Sequence, residues 1–490
     1  LDAATVEANI YLLDAGGAKV DASDVYDGAK RVTLKPSAGL NAYASYRLIV
    51  DSGLKSAAGE AILTGKVIRI RTGLDTSDKF PQISDEELLT KVQQQTFRYF
   101  WEGAEPTSGM ARERTSSGAT VTTGGTGFGV MAMTVAAERG FVTRSEACQR
   151  VQRIVTFLAE RATSYHGAFS HWIDGQTGQT LPFSADDNGA DLVETGLLFQ
   201  GLLTARAYFD GADAAESKLR ADITALWEAV EWDFFTKEGT EKVLYWHWSP
   251  DKGWAMNMPI QGWNEALIVY VLAASSPTHP IGREVYAEGW ARGGAMRNGK
   301  LFYDTVLPLG EDYGGPLFWA QYSFLGLNPR GLSDAYADYW EQVCNHTRIN
   351  YAYCVDNPKG YAGYGADCWG LTASDIPDGY TASSPTNDRG VIAPTAALSS
   401  MPYTPDESMA ALRFFYYKLG DKLWSDYGFI DAFDLTTGWF DRGMHIAIDQ
   451  GPIVVMIENY RTGLPWNLFM SDKDVQRGLA ELGFTVEAGS

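Results

Sequence analysis

The sequence predicts a mainly α protein, an (α/α)6 toroid of paired helices preceded by a small antiparallel β-sandwich. Three observations carry that prediction. Residues 1–73 contain no Trp or Cys and alternate short β-type runs with turn signals. After a polar linker the hydrophobic period changes from two to the helical 3.6. About twelve helical segments then follow with no strand between them and no fixed 30–45-residue repeat, which favours a closed ring over an open solenoid.

Taken in order, Ala44-Ser45-Tyr46-Arg47-Leu48-Ile49-Val50 alternates apolar residues before the turn Asp51-Ser52-Gly53, and Val67-Ile68-Arg69-Ile70-Arg71-Thr72-Gly73 reads as a closing strand. The domain boundaries follow: 1–75 sandwich, 76–83 linker, 84–490 helical domain. Ser84-x-x-Glu87 is a capping box, and Leu88, Val92, Thr96 and Phe100 fall on one helix face. Further helices are expected at about 128–140, 145–162, 189–209, 214–234, 263–275, 281–295, 314–325, 333–350, 406–419, 451–462 and 472–482. Alternate members, starting near 128, 189, 263, 314, 406 and 451, form the expected inner ring.

The 490 residues have a formal charge of −21, which argues against a nucleic-acid partner. No apolar run approaches the ~18 residues needed to span a bilayer. The chain opens Leu1-Asp2-Ala3-Ala4-Thr5 without Met, basic segment or apolar segment, so any secretion signal is expected to have been removed. Four cysteines are too few for a disulfide scaffold, but Cys344, Cys354 and Cys368 lie close together in loop-like sequence, leaving one disulfide open.

The starts of alternate helices converge on one end of a toroid, and there the carboxylates collect. Asp187, Asp191 and Glu194 precede or open one inner helix, Glu265 is expected in the first turn of the next inner helix, and Asp449 just before a helix opened by Pro452. Each alone reads as an ordinary acidic first-turn residue. Together they fit glycosidic hydrolysis, which needs one carboxyl protonated toward the leaving oxygen and one ionised toward water. Clustered like charges raise the pKa of one member.

Aromatic residues make up 13% of the chain. Trp246, Trp248, Trp254, Trp263, Phe318, Trp319, Tyr322 and Trp369 fall mainly near Gly-, Pro- and Asn-rich segments, where rings stack on sugar C–H faces as readily as they fill a core. The glycines at 124, 125, 127 and 129 make no dinucleotide fingerprint and are read as a site of close backbone approach. No P-loop, H-E-x-x-H or G-x-S-x-G occurs, which argues against zinc and serine hydrolases, while calcium held by loop Asp residues stays open.

The runs Gly262-Trp263-Asn264-Glu265-Ala266-Leu267, Ser276-Pro277-Thr278-His279-Pro280, Gln321-Tyr322-Ser323, Trp369-Gly370-Leu371-Thr372-Ala373-Ser374-Asp375, Ala393–Pro402 and Ile448–Tyr460 resemble, in order, those of the bacterial glycoamylase-like family. That family includes the endo-β-1,2-glucanases of glycoside hydrolase family 144, and its fold is an (α/α)6 barrel. The segment Tyr46–Gly73 resembles the bacterial Ig-like domains that precede secreted carbohydrate-active enzymes, a family in which another strand is expected before the point where Leu1 stands, so that the start of this copy is expected to be truncated or incompletely ordered.

The resemblance implies an inverting hydrolase, with Glu265 as general acid, Asp449 as base, and Asp191 and Glu194 holding the sugar and setting the local field. Asp187, Trp248, Trp254, Trp263, Asn264, Gln321, Tyr322 and Trp369 are the expected substrate contacts. Where relatives carry Phe-x-His-Gln-Tyr-Ser-His, this chain has Phe318-Trp319-Ala320-Gln321-Tyr322-Ser323-Phe324, which leaves linkage and chain-length preference open. No residue supports starch specifically. The expected partner is an oligo- or polysaccharide, most of all β-1,2-glucan, acted on by a monomer without cofactor in the periplasm or outside the cell. The alternatives are a hydrolase of another glucan, a transglycosylase and a silent glycan-binding protein.

Overall fold

The computed structural model describes residues 1–487, and the chain divides into two compact units, Leu1–Asp78 and Lys79–Ser490. In the first unit β1 (Ile10–Leu13), β4 (Ser45–Val50) and β5 (Lys66–Arg71) form an antiparallel sheet in the order β1-β4-β5. β2 (Ala22–Tyr26) and β3 (Val32–Pro36) make a separate hairpin. Tyr46 pairs with Ile70 and Ile10 with Val50. The unit's small core is Val6, Ile10 and Leu54.

The second unit opens with α1 (Asp85–Trp101), whose Ser84 hydroxyl caps the Glu87 N–H while the Glu87 carboxylate accepts from the Ser84 N–H. Leu88, Val92, Thr96 and Phe100 are buried, as their spacing predicts. Helices buried almost all round then alternate with amphipathic ones, the mark of inner and outer rings. α2 (Thr123–Glu138), α4 (Leu192–Tyr208), α6 (Leu267–Ser275), the 3-10 turns Leu317–Ala320 and Ser323–Leu325, α8 (Pro394–Leu398) and α10 (Ala447–Arg461) form the inner ring. Outside them lie α1, α3 (Arg144–Glu160), α5 (Ala214–Glu228), the π-helical turn Val285–Trp290, α7 (Tyr339–Asp356), and α9 (Pro405–Arg413) with its π continuation Phe414–Lys418. α11 (Leu464–Met470) and α12 (Lys473–Leu482) close the chain. The result is the (α/α)6 toroid. Gln321 joins its two weakest members, donating to the Ala396 carbonyl and the Ser400 hydroxyl at 3.0 Å each. Among the described residues no helix is long and apolar enough to cross a membrane.

Several elements differ from their sequence reading, each for a local reason. The glycine run lies inside α2, because small residues let α2 and α4 cross at backbone contact. A Cβ on Gly127 would stand 2.2 Å from the Leu197 carbonyl oxygen, and one on Gly201 2.1 Å from that of Gly127. Gly314 and Gly315 take positive φ and delay helical structure to Leu317, where only 3-10 turns form. The inner helix expected at 406 is outer, and the five-residue α8 before it takes the inner place. α10 starts at Ala447, so Asp449 sits in its first turn and Pro452 lies inside it. Glu265 precedes α6 rather than opening it. Short strands do occur between the helices, including 120–122 paired with 172–174. Cys344 and Cys354 lie on α7, and all four cysteines are buried and free.

Candidate active site

One end of the inner ring opens on a cavity of about 340 Å³ walled by His171, Asp191, Glu194, Glu265 and Tyr322, with Trp172, Phe183, Trp246, Phe318 and Tyr380 as its further rings. Chain order explains the acids. Asp191 ends a two-residue strand paired with His247–Trp248, and then caps α4 through the N–H groups of Val193 (3.0 Å) and Glu194 (2.9 Å). Glu194, one turn on, points across the α2–α4 crossing, where its Oε2 accepts from the Gly124 N–H (2.6 Å) and the Thr122 hydroxyl (3.3 Å).

Two histidines that no motif marked neutralise part of this charge. His171 donates from Nδ1 to Asp191 Oδ2 at 3.2 Å, with Nε2 3.9 Å from Glu194 Oε1. His247 Nε2 lies 3.3 Å from Asp187 and 3.7 Å from Asp191. Burial would discharge His171, but Glu194 and Asp191 outweigh it and push the imidazole up to about 9. Burial also works against the Asp191 carboxylate, and the His171 hydrogen bond with the His247 charge still holds it below its usual value.

Glu265 stands apart from that ion-paired group. It is half-buried in the cavity wall, and among the described residues no Lys or Arg pairs with it. Burial first, then the charges of Asp191 and Glu194, push its carboxyl up to about 7. Near neutrality it is therefore protonated for a large part of the time, as a proton donor must be.

Asp449 is 3% exposed and lies one layer behind the lining, where burial first and then its charge raise the Tyr322 and Tyr380 phenols. Its carboxyl is within hydrogen-bonding reach of Asp431. Burial pushes Asp431 up to about 7, and burial with the Asp431 charge drives Asp449 well above the usual carboxylate range. The pair thus holds a shared proton. Arg114, on the cavity wall, bonds Glu113 at 2.8 Å and grips both Asp375 oxygens at 2.8 and 3.0 Å.

Of the expected substrate contacts, only Tyr322 lines the cavity, with its hydroxyl unpartnered. Asp187 is buried against His247. Trp263 is core, donating to His346 at 3.3 Å, and Trp369 is fully buried, donating to the Glu407 carbonyl. Gln321 is the buried strut described above. Asn264 caps the Ala266 N–H. Trp248 and Trp254 pack on Phe234 away from the lining. Aromatic walls are instead supplied by Trp172, Phe183, Trp246, Phe318 and Tyr380. Trp246 and Phe318 stood out in sequence by composition, but nothing local distinguished Trp172, Phe183 or Tyr380.

Two groups have metal-ligand chemistry: His171 with Asp187 and Asp191, and Asp375 with Asp431 and Asp441, each with donor atoms within 4.8 Å of one another. The second is all oxygen, as hard cations prefer, but Asp375 is already held by Arg114.

Residues 257–473 match the family model named Glycoamylase. Over 421 residues the chain is 48% identical to an exo-β-1,2-glucooligosaccharide sophorohydrolase of Parabacteroides distasonis, a match covering 82% of this chain and spanning 58% of that protein's length. An endo-β-1,2-glucanase of Chitinophaga pinensis, solved with sophorotriose and glucose, is 51% identical, with TM-score 0.80 over 82% of this chain and 99% of its own. A β-1,2-glucanase structure from P. distasonis is 41% identical, with TM-score 0.80 over 97% of this chain and 69% of that one. Identity at that level over nearly the whole of a solved relative, on the same ring of paired helices, makes this chain a member of the Glycoamylase family.

Proposed function

We propose that the protein is a glycoside hydrolase that cleaves β-1,2-glucan with inversion, Glu265 acting as general acid and Asp449 as general base. The observation that carries the reading is the Glu265 carboxyl in the cavity wall, without a Lys or Arg partner among the described residues and pushed up to about 7. β-1,2-glucan follows from the named activities of the similar P. distasonis and C. pinensis proteins. The set-back position of Asp449 supports inversion: a group behind the lining leaves room for a water, directly or through a substrate hydroxyl, whereas a nucleophile would have to touch the anomeric carbon. Asp191 and Glu194, fixed by His171, hold the sugar at the cleavage point and supply the field that keeps Glu265 protonated.

In the reaction Glu265 gives its proton to the leaving oxygen as that C–O bond breaks, and water attacks the anomeric carbon while its proton passes toward Asp449. Trp246, Trp172 and Phe318 offer stacking faces for neighbouring glucose units. Work outside the cytoplasm, as a monomer without cofactor and with an Ig-like first unit, belongs to the same proposal.

The test is turnover on linear β-1,2-glucan beside β-1,3-glucan, β-1,4-glucan and starch, with anomeric NMR of the first product. Glu265→Gln and Asp449→Asn should each lower kcat by two orders of magnitude or more, of the order expected of general acid–base groups. Retained turnover in either variant, or a product of retained configuration, overturns the assignment.

A further inference from the structure

Behind the cavity the carboxyls continue outward in a row. Asp449 reaches Asp431, and Asp431 lies with Asp375 and Asp441 in a group whose oxygens are within 4.8 Å of one another. One oxygen on each of three members, Asp449 Oδ2, Asp431 Oδ1 and Asp441 Oδ2, is buried without a hydrogen-bond partner. Asp431 and Asp449 are both 3% exposed, so leaving these oxygens bare is costly unless a proton or cation passes among them. The other Asp431 oxygen accepts from the Asp375 N–H at 2.7 Å, which fixes the direction of the free one. The row ends at a second, open pocket lined by Arg114, Asp375, Tyr380, Trp439 and Asp441. Arg114 and Tyr380 belong to both linings and form the partition between the pocket and the substrate cavity.

We infer that Asp449, Asp431 and Asp441 form the exit route for the proton taken from the attacking water, delivering it to the second pocket rather than back through the substrate cavity. The inference rests on the catalytic reading of Asp449 above and extends it to two positioning residues that touch no sugar. Each turnover leaves one proton on Asp449 and one missing from Glu265. Glu265 recovers its proton from solvent through the cavity once product leaves. Asp449 is 3% exposed and lies outside the cavity lining, so it meets the cavity only through the attacking water or a substrate hydroxyl, and once these have gone its neighbour for proton exchange is Asp431. A proton arriving on Asp449 displaces the shared proton to Asp431, then to Asp441, then to water in the outer pocket, so no charge accumulates. The groups facing this row are Glu113, Arg114, Asp375, Tyr322 and Tyr380, and Arg114 is the one cation among them, anchored on Glu113 and Asp375 rather than on the row itself.

Asp441→Asn and Asp431→Asn, in the full chain, test the route on β-1,2-glucan. Both are expected to lower kcat about tenfold with KM within about twofold of wild type, and to raise the solvent deuterium effect on kcat. Because Asp441 lines the outer pocket, formate or acetate should restore much of the Asp441→Asn rate in a concentration-dependent way. Asp449→Asn should not be rescued. Wild-type kcat and isotope effect in both variants overturns the route, as does a loss that tracks a lower Tm without rescue. Inactivation of the wild type by EDTA, reversed by calcium, would overturn it in favour of a cation on Asp375, Asp431 and Asp441. Should Glu265→Gln and Asp449→Asn themselves stay active, the catalytic reading falls; if both are dead while Asp431→Asn and Asp441→Asn behave as wild type, only the exit route falls.

Discussion

The backbone N–H of Gly124 meets Oε2 of Glu194 at 2.6 Å, across the point where α2 and α4 cross. This contact joins a packing device to the chemistry of the cavity. Glycines let the two inner helices touch, and the same closeness brings a helix N-terminal N–H onto a buried carboxylate.

Two alanine substitutions should separate those roles. A Cβ on Gly124 would lie 2.7 Å from Glu194 Oε2, a movable side-chain end, so Gly124→Ala should displace Glu194 and lower kcat with little change in Tm. A Cβ on Gly127 would lie 2.2 Å from the Leu197 carbonyl and 2.6 Å from Leu198 Cα, both backbone. Gly127→Ala should therefore destabilise the fold by roughly 2–4 kcal/mol, read by urea unfolding.

The raised pKa of Glu265 predicts an activity profile. With its carboxyl near 7, kcat/KM on β-1,2-glucan should fall as pH rises through about 7, and the falling limb should vanish from the residual activity of Glu265→Gln. A falling limb centred near the ordinary carboxylate value would contradict the assignment.

The same shift has a stability consequence. A carboxyl whose folded pKa is raised favours folding when protonated, so its contribution is full below about 4.5, the unfolded value, and is lost as pH rises through about 7. Removing the titrating group should stabilise the protein at pH 8, on the order of 1–3 kcal/mol, and make little difference at pH 4.5. Paired melts of wild type and Glu265→Gln at the two pH values would measure it, with equal offsets at both as the contrary result.

His171 has the opposite sense. Its folded pKa, near 9, exceeds the unfolded value near 6.5, so the stability it adds is complete below about 6.5 and is lost through about 9. His171→Gln should therefore cost more stability at pH 6 than at pH 10, and chemical denaturation at both values checks the sign.

Two tryptophans test the difference between core and cavity. Trp263 is buried and bonded to His346, whose ring burial keeps neutral by lowering its pKa to about 4. Trp263→Ala should cost roughly 3–5 kcal/mol of stability. Trp246 lines the cavity, so Trp246→Ala should instead raise KM for the glucan with a smaller loss of Tm, measured by initial rates and thermal melts.

Much of the helical domain was legible because its signals are local. The Ser84–Glu87 box and the buried series Leu88, Val92, Thr96 and Phe100 need nothing beyond neighbours three and four residues away. The glycine run of α2 was not legible as helix: Gly has a low intrinsic preference for it, and only contact with α4 outweighs that preference. α8 escaped notice because five residues show too little period to count, although Pro394 marks its first turn. Tryptophan letters do not tell a ring that fills the core, such as Trp263 or Trp369, from one that faces a cavity, such as Trp246.

By itself the sequence determined the acidic balance, the helical periods, the capping signals and the carboxylates Asp191, Glu194, Glu265 and Asp449, because each depends on residue type and short spacing. Tertiary structure alone decided which acids are neutralised and which remain free. His171 and His247 come from separate segments to pair with Asp191 and Asp187, Asp431 from another to share a proton with Asp449, and among the described residues Glu265 is left without a Lys or Arg partner. The physical reason is that a carboxyl's charge state follows from its burial and from the groups within a few ångströms, and ring closure, not chain order, sets both.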